Sequence, residues 1–74
     1  GPREQTTVTL GSEPVYFGEG RSQVFVKGLA QRAANMVMQS GRVIYTNPAG
    51  QAQALADGQA VQVGPLKVVV HAKS

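Results

Sequence analysis

The stretch that decides the fold is residues 55–70, which read LADGQAVQVGPLKVVV. It opens with the turn-forming pair Asp57 and Gly58, and the break Gly64-Pro65 divides the remainder into two short segments. Both segments are rich in valine, which favours the extended backbone of a strand. Two such segments on either side of a glycine-containing break predict an antiparallel hairpin.

This hairpin is expected to have one apolar and one polar face, because successive side chains of a strand point to opposite sides. The apolar face is predicted to hold Val61, Val63, Leu66, Val68 and Val70, with Gln62 and Lys67 on the other side. An apolar face of this kind must be buried against another layer of structure. We therefore expect the rest of the chain to fold over the hairpin.

The length and composition predict one small domain. A chain of 74 residues buries only about 60% of its unfolded surface. Cysteine is absent, which excludes disulfides, thiolate metal sites and thiol catalysis. Residues 1–2 (Gly-Pro) are interpreted as the scar of a removed tag, and residues 3–74 as the domain.

The charge pattern disfavours nucleic acid as a partner. Seven Lys and Arg against four Asp and Glu give a formal net charge of +3. These basic residues are scattered along the chain, whereas nucleic-acid binders concentrate them in a patch or stripe. No apolar run approaches the roughly 18 residues of a membrane span, so none is predicted in this fragment.

Strand candidates recur along the chain with turn signals between them, such as Asn47-Pro48-Ala49-Gly50, where Asn47 is expected to support its own backbone turn. Before the hairpin they are residues 6–10, 14–17, 23–26, 35–39 and 42–46, with a weak candidate at 51–54. This spacing is typical of small sandwiches and barrels. The prediction is an all-β fold, a small antiparallel sandwich of about seven short strands.

The segment from Leu29 to Gln39 fits two structures. Its alanine, leucine, methionine and glutamine favour a helix. Its second half also alternates, and Ser40 with Gly41 separates it from the next strand as a two-residue hairpin loop does. We favour a loop followed by a strand, because the neighbouring segments on both sides predict strands.

No group of residues indicates catalysis, a metal site or a cofactor. His71 is the only histidine and is expected on the outer side of the last strand. The carboxylates fall in turns or near the terminus, and Asp57 is interpreted as a turn former. The glycines around Glu19 predict a tight turn, since no helix follows to make a phosphate site. The four aromatic residues, Tyr16, Phe17, Phe25 and Tyr45, are expected to be core or half-buried in a sheet.

The order of these segments resembles a degenerate forkhead-associated (FHA) domain. Gly20-Arg21 precedes the strand at 24–26, and Gln31-Arg32-Ala33-Ala34 precedes the next strand, where the family has Gly-Arg and Ser-Arg-x-His. Residues 55–68 are similar to the closing family pattern L-x-D-G-D-x-I-x-I-G-x-x-x-L-x-V. The resemblance covers about residues 15–70, and only this last hairpin is moderately specific.

The resemblance implies a non-enzymatic module for protein interaction and assembly. It places partner or phosphopeptide contacts at Arg21, Ser22, Gln31, Arg32 and Asn47. Gln31 replaces the family's Ser and Ala34 its structural His, so strong phosphothreonine binding is not expected. Similar degenerate domains serve as assembly modules in bacterial secretion-system rings. The expectation is therefore a protein partner or self-association, in a secretion or envelope complex, with the cytoplasmic face of a membrane the favoured location.

Two alternatives remain open from the sequence. Residues 30–47 also resemble the helix-to-strand signature of S4-type RNA-binding domains, in which Arg32 and Arg42 would contact phosphates if residues 29–39 were helical. The small Val, Ala and Gln rich strands are also compatible with a virion or appendage protein that forms symmetric oligomers.

Overall fold

The computed structural model describes residues 4–73, which form eight short strands. The strands are β1 (Gln5–Leu10), β2 (Val15–Gly18), β3 (Val24–Phe25), β4 (Ala34–Gln39), β5 (Arg42–Thr46), β6 (Ala52–Leu55), β7 (Ala60–Val63) and β8 (Leu66–Ala72). The interpretation of residues 1–2 as a tag scar lies outside the described residues. Across the part of the chain that is described, no helix with the length and apolar character of a membrane span occurs.

The strands form two sheets, which confirms the prediction of a small all-β sandwich. One sheet has three strands in the order β1-β8-β7, and the other has five in the order β3-β2-β4-β5-β6. The strand count is eight rather than about seven, and two pairings, β1 with β8 and β2 with β3, are parallel. Residues 19–23 are the short connection between β2 and β3, whereas β1 and β8 are joined by a long crossover. For β1 and β8 that crossover is nearly the whole chain, so hairpin signals in the sequence do not reveal it.

The hairpin of β7 and β8 forms as the sequence predicts. Val61 pairs with Val68 and Val63 with Leu66, while Gln62 pairs with Lys67 on the exposed face. Three of these apolar residues are buried and Val61 is half-buried. The hairpin therefore supplies one wall of the core.

A single cluster of buried side chains lies between the sheets. It contains Val8, Leu10, Phe17, Val26, Ala34, Met36, Val43, Tyr45, Leu55, Val63, Leu66, Val68 and Val70. Tyr45 is the one phenol in the cluster, and its burial raises the pKa above the ordinary value of 10.0. The core is otherwise aliphatic, apart from Phe17 and Met36.

The middle segment is a loop followed by a strand, as favoured above. Residues 29–33 form the loop, and β4 places Ala34 and Met36 in the core by alternation. Ser40 and Gly41 both have positive φ, 52° and 76°, the geometry that a two-residue hairpin turn requires. Burial of the alternating side chains against β8 and its neighbours outweighs the helix propensity of this segment.

The third strand is shorter than predicted, and one aromatic residue is exposed. Only Val24 and Phe25 form β3, although Val26 still donates its N–H to Gly18 O at 3.1 Å and its side chain is buried in the core. The expectation that Phe25 is in the core or half-buried in a sheet was wrong, since 64% of the residue is exposed. Val24 packs against the core, so the alternation of the strand turns Phe25 outward.

Candidate functional site

All five predicted contact residues lie at one end of the five-stranded sheet. The loops 19–23, 26–33 and 47–51 meet this end because β2 and β5 both run antiparallel to β4. We call these three loops the loop end. The ends of β2 and β5 are about 10 Å apart across the sheet, because β4 lies between these two strands. The fold thus gathers at one end residues that are up to 26 positions apart in the chain, from Arg21 to Asn47.

Ser22 and Gln31 join the first two loops to each other. Ser22 Oγ accepts the N–H of Arg32 at 3.1 Å and donates to Glu19 O at 3.1 Å. Gln31 Oε1 accepts the N–H of Arg21 at 3.1 Å. Both side chains use their polar atoms to hold the loops, so their first role is structural.

Arg32 is anchored by the same pair of loops. Its Nε donates to Arg21 O at 3.2 Å, and its guanidinium carbon lies 4.3 Å from the centre of the Tyr16 ring. Its φ of 54° lies in the left-handed region, which L residues adopt only when surrounding contacts hold them there. Arg32 therefore keeps its charge at the loop end in a fixed position over an aromatic face.

Glu19 joins the same two loops, although the sequence indicated only a turn residue. We call Glu19, Ser22 and Gln31, whose side chains hold the loops together, the brace. Its Oε2 accepts the N–H of Gly28 at 2.7 Å, and its own N–H donates to Leu29 O at 2.9 Å. The flanking Gly18 makes this possible, because a Cβ there would lie 2.0 Å from Ala30 O. The one signal in the sequence is the pair of glycines around Glu19, which permit positive φ.

Asn47 holds its own loop, as predicted for a turn former. Its Oδ1 accepts the N–H groups of Ala49 at 3.0 Å and Gln51 at 2.9 Å. Its Nδ2 donates to the side chain of Gln51 at 3.2 Å. Asn47 lies at the loop end with the other predicted residues, but no hydrogen bond joins it to them within residues 4–73.

Arg21 and Phe25 are the groups that the brace leaves available. The backbone of Arg21 is bonded on both sides, while its guanidinium is exposed and contacts no acceptor within residues 4–73. Phe25 is exposed on β3, and with Lys27 it borders a groove completed by Glu4, Val26, Pro65 and Leu66. The loop end therefore offers the exposed charges of Arg21 and Lys27, beside the exposed ring of Phe25 at the end of β3.

The remaining titratable side chains of the described part of the chain include one close pair, His71 with Asp57. His71 is exposed on β8, as expected, with Nδ1 3.5 Å from Asp57 Oδ1. That oxygen also accepts the N–H of Ala72 at 2.8 Å, so Asp57 fastens the β6–β7 turn to β8 as well as forming it. Within residues 4–73 no three His, Cys, Asp or Glu side chains lie close enough to hold a metal ion.

The protein is a small β-sandwich in which side-chain hydrogen bonds join two loops at one end of the larger sheet. Comparison of the chain with family models, with curated proteins and with solved structures found no match.

Proposed function

We propose that this protein is a non-enzymatic module for protein interaction and assembly whose partner binds at the loop end. The observation that carries the proposal is the brace of Glu19, Ser22 and Gln31, which holds the two loops while Arg21 and Phe25 stay exposed. Aromatic residues and arginine are the residues that contribute most to binding at protein interfaces. A rigid frame lowers the entropy lost on binding.

The charge of the loop end favours an acidic partner segment. Arg21, Lys27 and Arg32 are exposed there, whereas the carboxylate of Glu19 is engaged with the backbone of Gly28. A surface with an excess of positive charge raises the encounter rate with a partner of the opposite sign. The proposed ligand is an extended acidic segment with an apolar side chain that packs on Phe25.

Strong phosphothreonine binding is not part of this proposal. A phosphate needs several charge-assisted donors that converge on it. Ser22 and Gln31 are occupied in the brace, and Asn47 is occupied in its own turn. The exposed charges of Arg21 and Lys27 remain at the loop end, and without further convergent donors they support only a weak phosphate contact.

The wider setting follows the FHA resemblance and belongs to the same proposal. An assembly module of a bacterial secretion or envelope complex fits a small domain whose binding surface is a set of loops. The S4-type alternative depended on a helix over residues 29–39, and those residues form a loop and β4 instead. The virion or appendage alternative predicts symmetric oligomers, and a monomer in sedimentation at micromolar concentration would disfavour it.

The proposal is tested by titrating ¹⁵N-labelled protein with matched peptides. One extended peptide carries an aromatic residue flanked by acidic residues, a second carries phosphothreonine in their place, and a third carries neutral amides. We expect saturable shifts confined to the loop end with the acidic peptide, and a Kd at least about tenfold higher with the neutral one. Arg21→Ala and Phe25→Ser are each expected to weaken binding by a similar factor.

The matched control is Arg42→Ala, which removes the same charge at the opposite end of the same sheet. It is expected to leave the affinity within about twofold of wild type. No saturable binding of any acidic peptide at about 1 mM would refute the proposal. Tight binding of the phosphothreonine peptide alone would replace it with phosphopeptide recognition.

A further inference from the structure

Strand β1 is an uncharged strand at the edge of the three-stranded sheet. It pairs with β8 on one side, and no strand among residues 4–73 pairs with its other side. Its sequence, QTTVTL, contains three threonines and a valine and lacks lysine, proline or any charge. Proteins usually protect exposed edges with lysine, proline or other charged residues, because an open edge recruits another strand.

The backbone of β1 exposes alternate hydrogen-bonding groups. Lys67 donates its N–H to Glu4 O at 3.1 Å, and Lys73 donates to Leu10 O at 2.9 Å. In a parallel pair these bonds belong to every second residue, so the even-numbered residues of β1 face β8. The N–H and C=O groups of Gln5, Thr7 and Thr9 therefore point to the open edge.

These exposed groups are self-complementary around Thr7. In an antiparallel pairing of two copies, Thr7 lies opposite Thr7 of the second copy, and Gln5 lies opposite Thr9. Each opposed pair exchanges two backbone hydrogen bonds, so every exposed group of the edge is satisfied. Facing threonines also stabilise cross-strand contacts.

The charges at the two ends of β1 suit the same arrangement. Exposed Glu4 precedes β1, while exposed Lys73 lies beside Leu10 at its other end. An antiparallel pairing places Glu4 of each copy opposite Leu10 of the other, and hence near its Lys73. Opposite charges then meet at both ends, which offsets the repulsion between two molecules of net charge +3.

We infer that this protein associates with a second copy of itself through antiparallel pairing of β1. The two three-stranded sheets then form one continuous sheet of order β7-β8-β1-β1-β8-β7. This contact is isologous and closes with two copies, so it does not propagate into a fibre. It uses the sheet opposite to the one that carries the loop end and does not rest on the proposed partner binding.

The other open edges offer less to a second copy. On β6 only Ala52 and Ala54 direct backbone groups outward, because Asn47 N–H bonds Gln51 O and sets the alternation. On β7 only Ala60 and Gln62 direct backbone groups outward, because Val70 N–H bonds Gln59 O and sets the alternation. Strand β1 is longer than β6, β7 and the two-residue edge strand β3, and its β-branched residues favour strand pairing.

The test measures association and edge protection of the intact chain. Sedimentation equilibrium from about 10 µM to about 1 mM is expected to show a monomer–dimer equilibrium. Thr7→Lys places two like charges opposite each other at the twofold axis and is expected to raise the dimer Kd at least about tenfold. Gln53→Lys, the matched control on β6, is expected to leave the Kd unchanged.

Hydrogen exchange supplies a readout that needs no variant. The amides of Gln5, Thr7 and Thr9 are expected to exchange rapidly in dilute protein and to become protected as concentration rises. Those of Thr6 and Val8, which face β8, are expected to be protected throughout. A monomer at about 1 mM, a dimer that survives Thr7→Lys, or a dimer that Gln53→Lys disrupts instead would each overturn the inference.

Discussion

At the scale of single residues, Gly18, the last residue of β2, has the strictest steric requirement beside the loop end. Its φ is 146°, and a side chain there would overlap Ala30 O, which lies on the loop that crosses over β2. The same crossing brings Leu29 O within 2.9 Å of the N–H of Glu19. A missing side chain therefore lets two loops approach closely enough to form the brace.

Replacing Gly18 by alanine is expected to lower the free energy of unfolding by about 3 kcal/mol, because backbone strain adds to the overlap with Ala30 O. Gly50→Ala is the control, since Gly50 also has a positive φ, 83°, but has no atom within 4 Å of the added Cβ. It is expected to cost about 1–2 kcal/mol. Urea unfolding followed by circular dichroism measures both, and equal losses would show that the overlap relaxes without cost.

At the scale of elements, the turn between β6 and β7 is fastened to the end of β8. Asp57 Oδ1 accepts the N–H of Ala72, and Gly58 donates its N–H to Val70 O at 2.7 Å. Strand β6 belongs to the five-stranded sheet and β8 to the three-stranded sheet. The turn consequently links the two layers by hydrogen bonds as well as by the chain itself.

Asp57→Ala is expected to reduce stability by about 1 kcal/mol, because Ala72 loses its acceptor. Asp57→Asn keeps a side-chain oxygen at that place and a turn-forming residue, so it is expected to retain most of the stability. Amide exchange at Ala72 reports the bond directly and should accelerate only in the alanine variant. Unchanged protection of Ala72 in Asp57→Ala would mean that this hydrogen bond does not form in solution.

At the scale of the whole molecule, the last strand, β8, pairs with the first strand, β1. It is the central strand of its sheet, with β1 on one side and β7 on the other. Val68 and Val70 of β8 are fully buried between the layers. A domain of 74 residues has little stability to lose, so the packing of β8 should control whether it folds.

Val70→Ala is expected to destabilise the domain by about 2–3 kcal/mol through lost burial and the cavity left behind. The neighbouring Val69 is half-buried and faces the other side of the same strand, which makes Val69→Ala the matched control. Its cost is expected to stay below about 1 kcal/mol. Thermal unfolding of the pair measures the difference, and similar losses would argue against a core centred on β8.

The sequence predicted features that depend on near neighbours in the chain. Alternation identified the β7–β8 hairpin, and turn chemistry placed Asn47 and the Ser40-Gly41 loop correctly, because both signals act over a few residues. The FHA resemblance pointed to five residues that the structure gathers at one end of a sheet. The hydrogen bonds that Ser22 and Gln31 make could not be predicted from the sequence, since their partners lie about ten positions away in the chain.

What the sequence by itself determined is the all-β class, the apolar faces and the turns, since these follow from local periodicity and backbone preference. Only the tertiary structure decided that β1 lies parallel to β8, that Phe25 points outward, and that Glu19 braces the loops. Those features arise when segments distant in the chain pack together. The energy of such packing depends on which distant surfaces meet, and local sequence does not encode that choice.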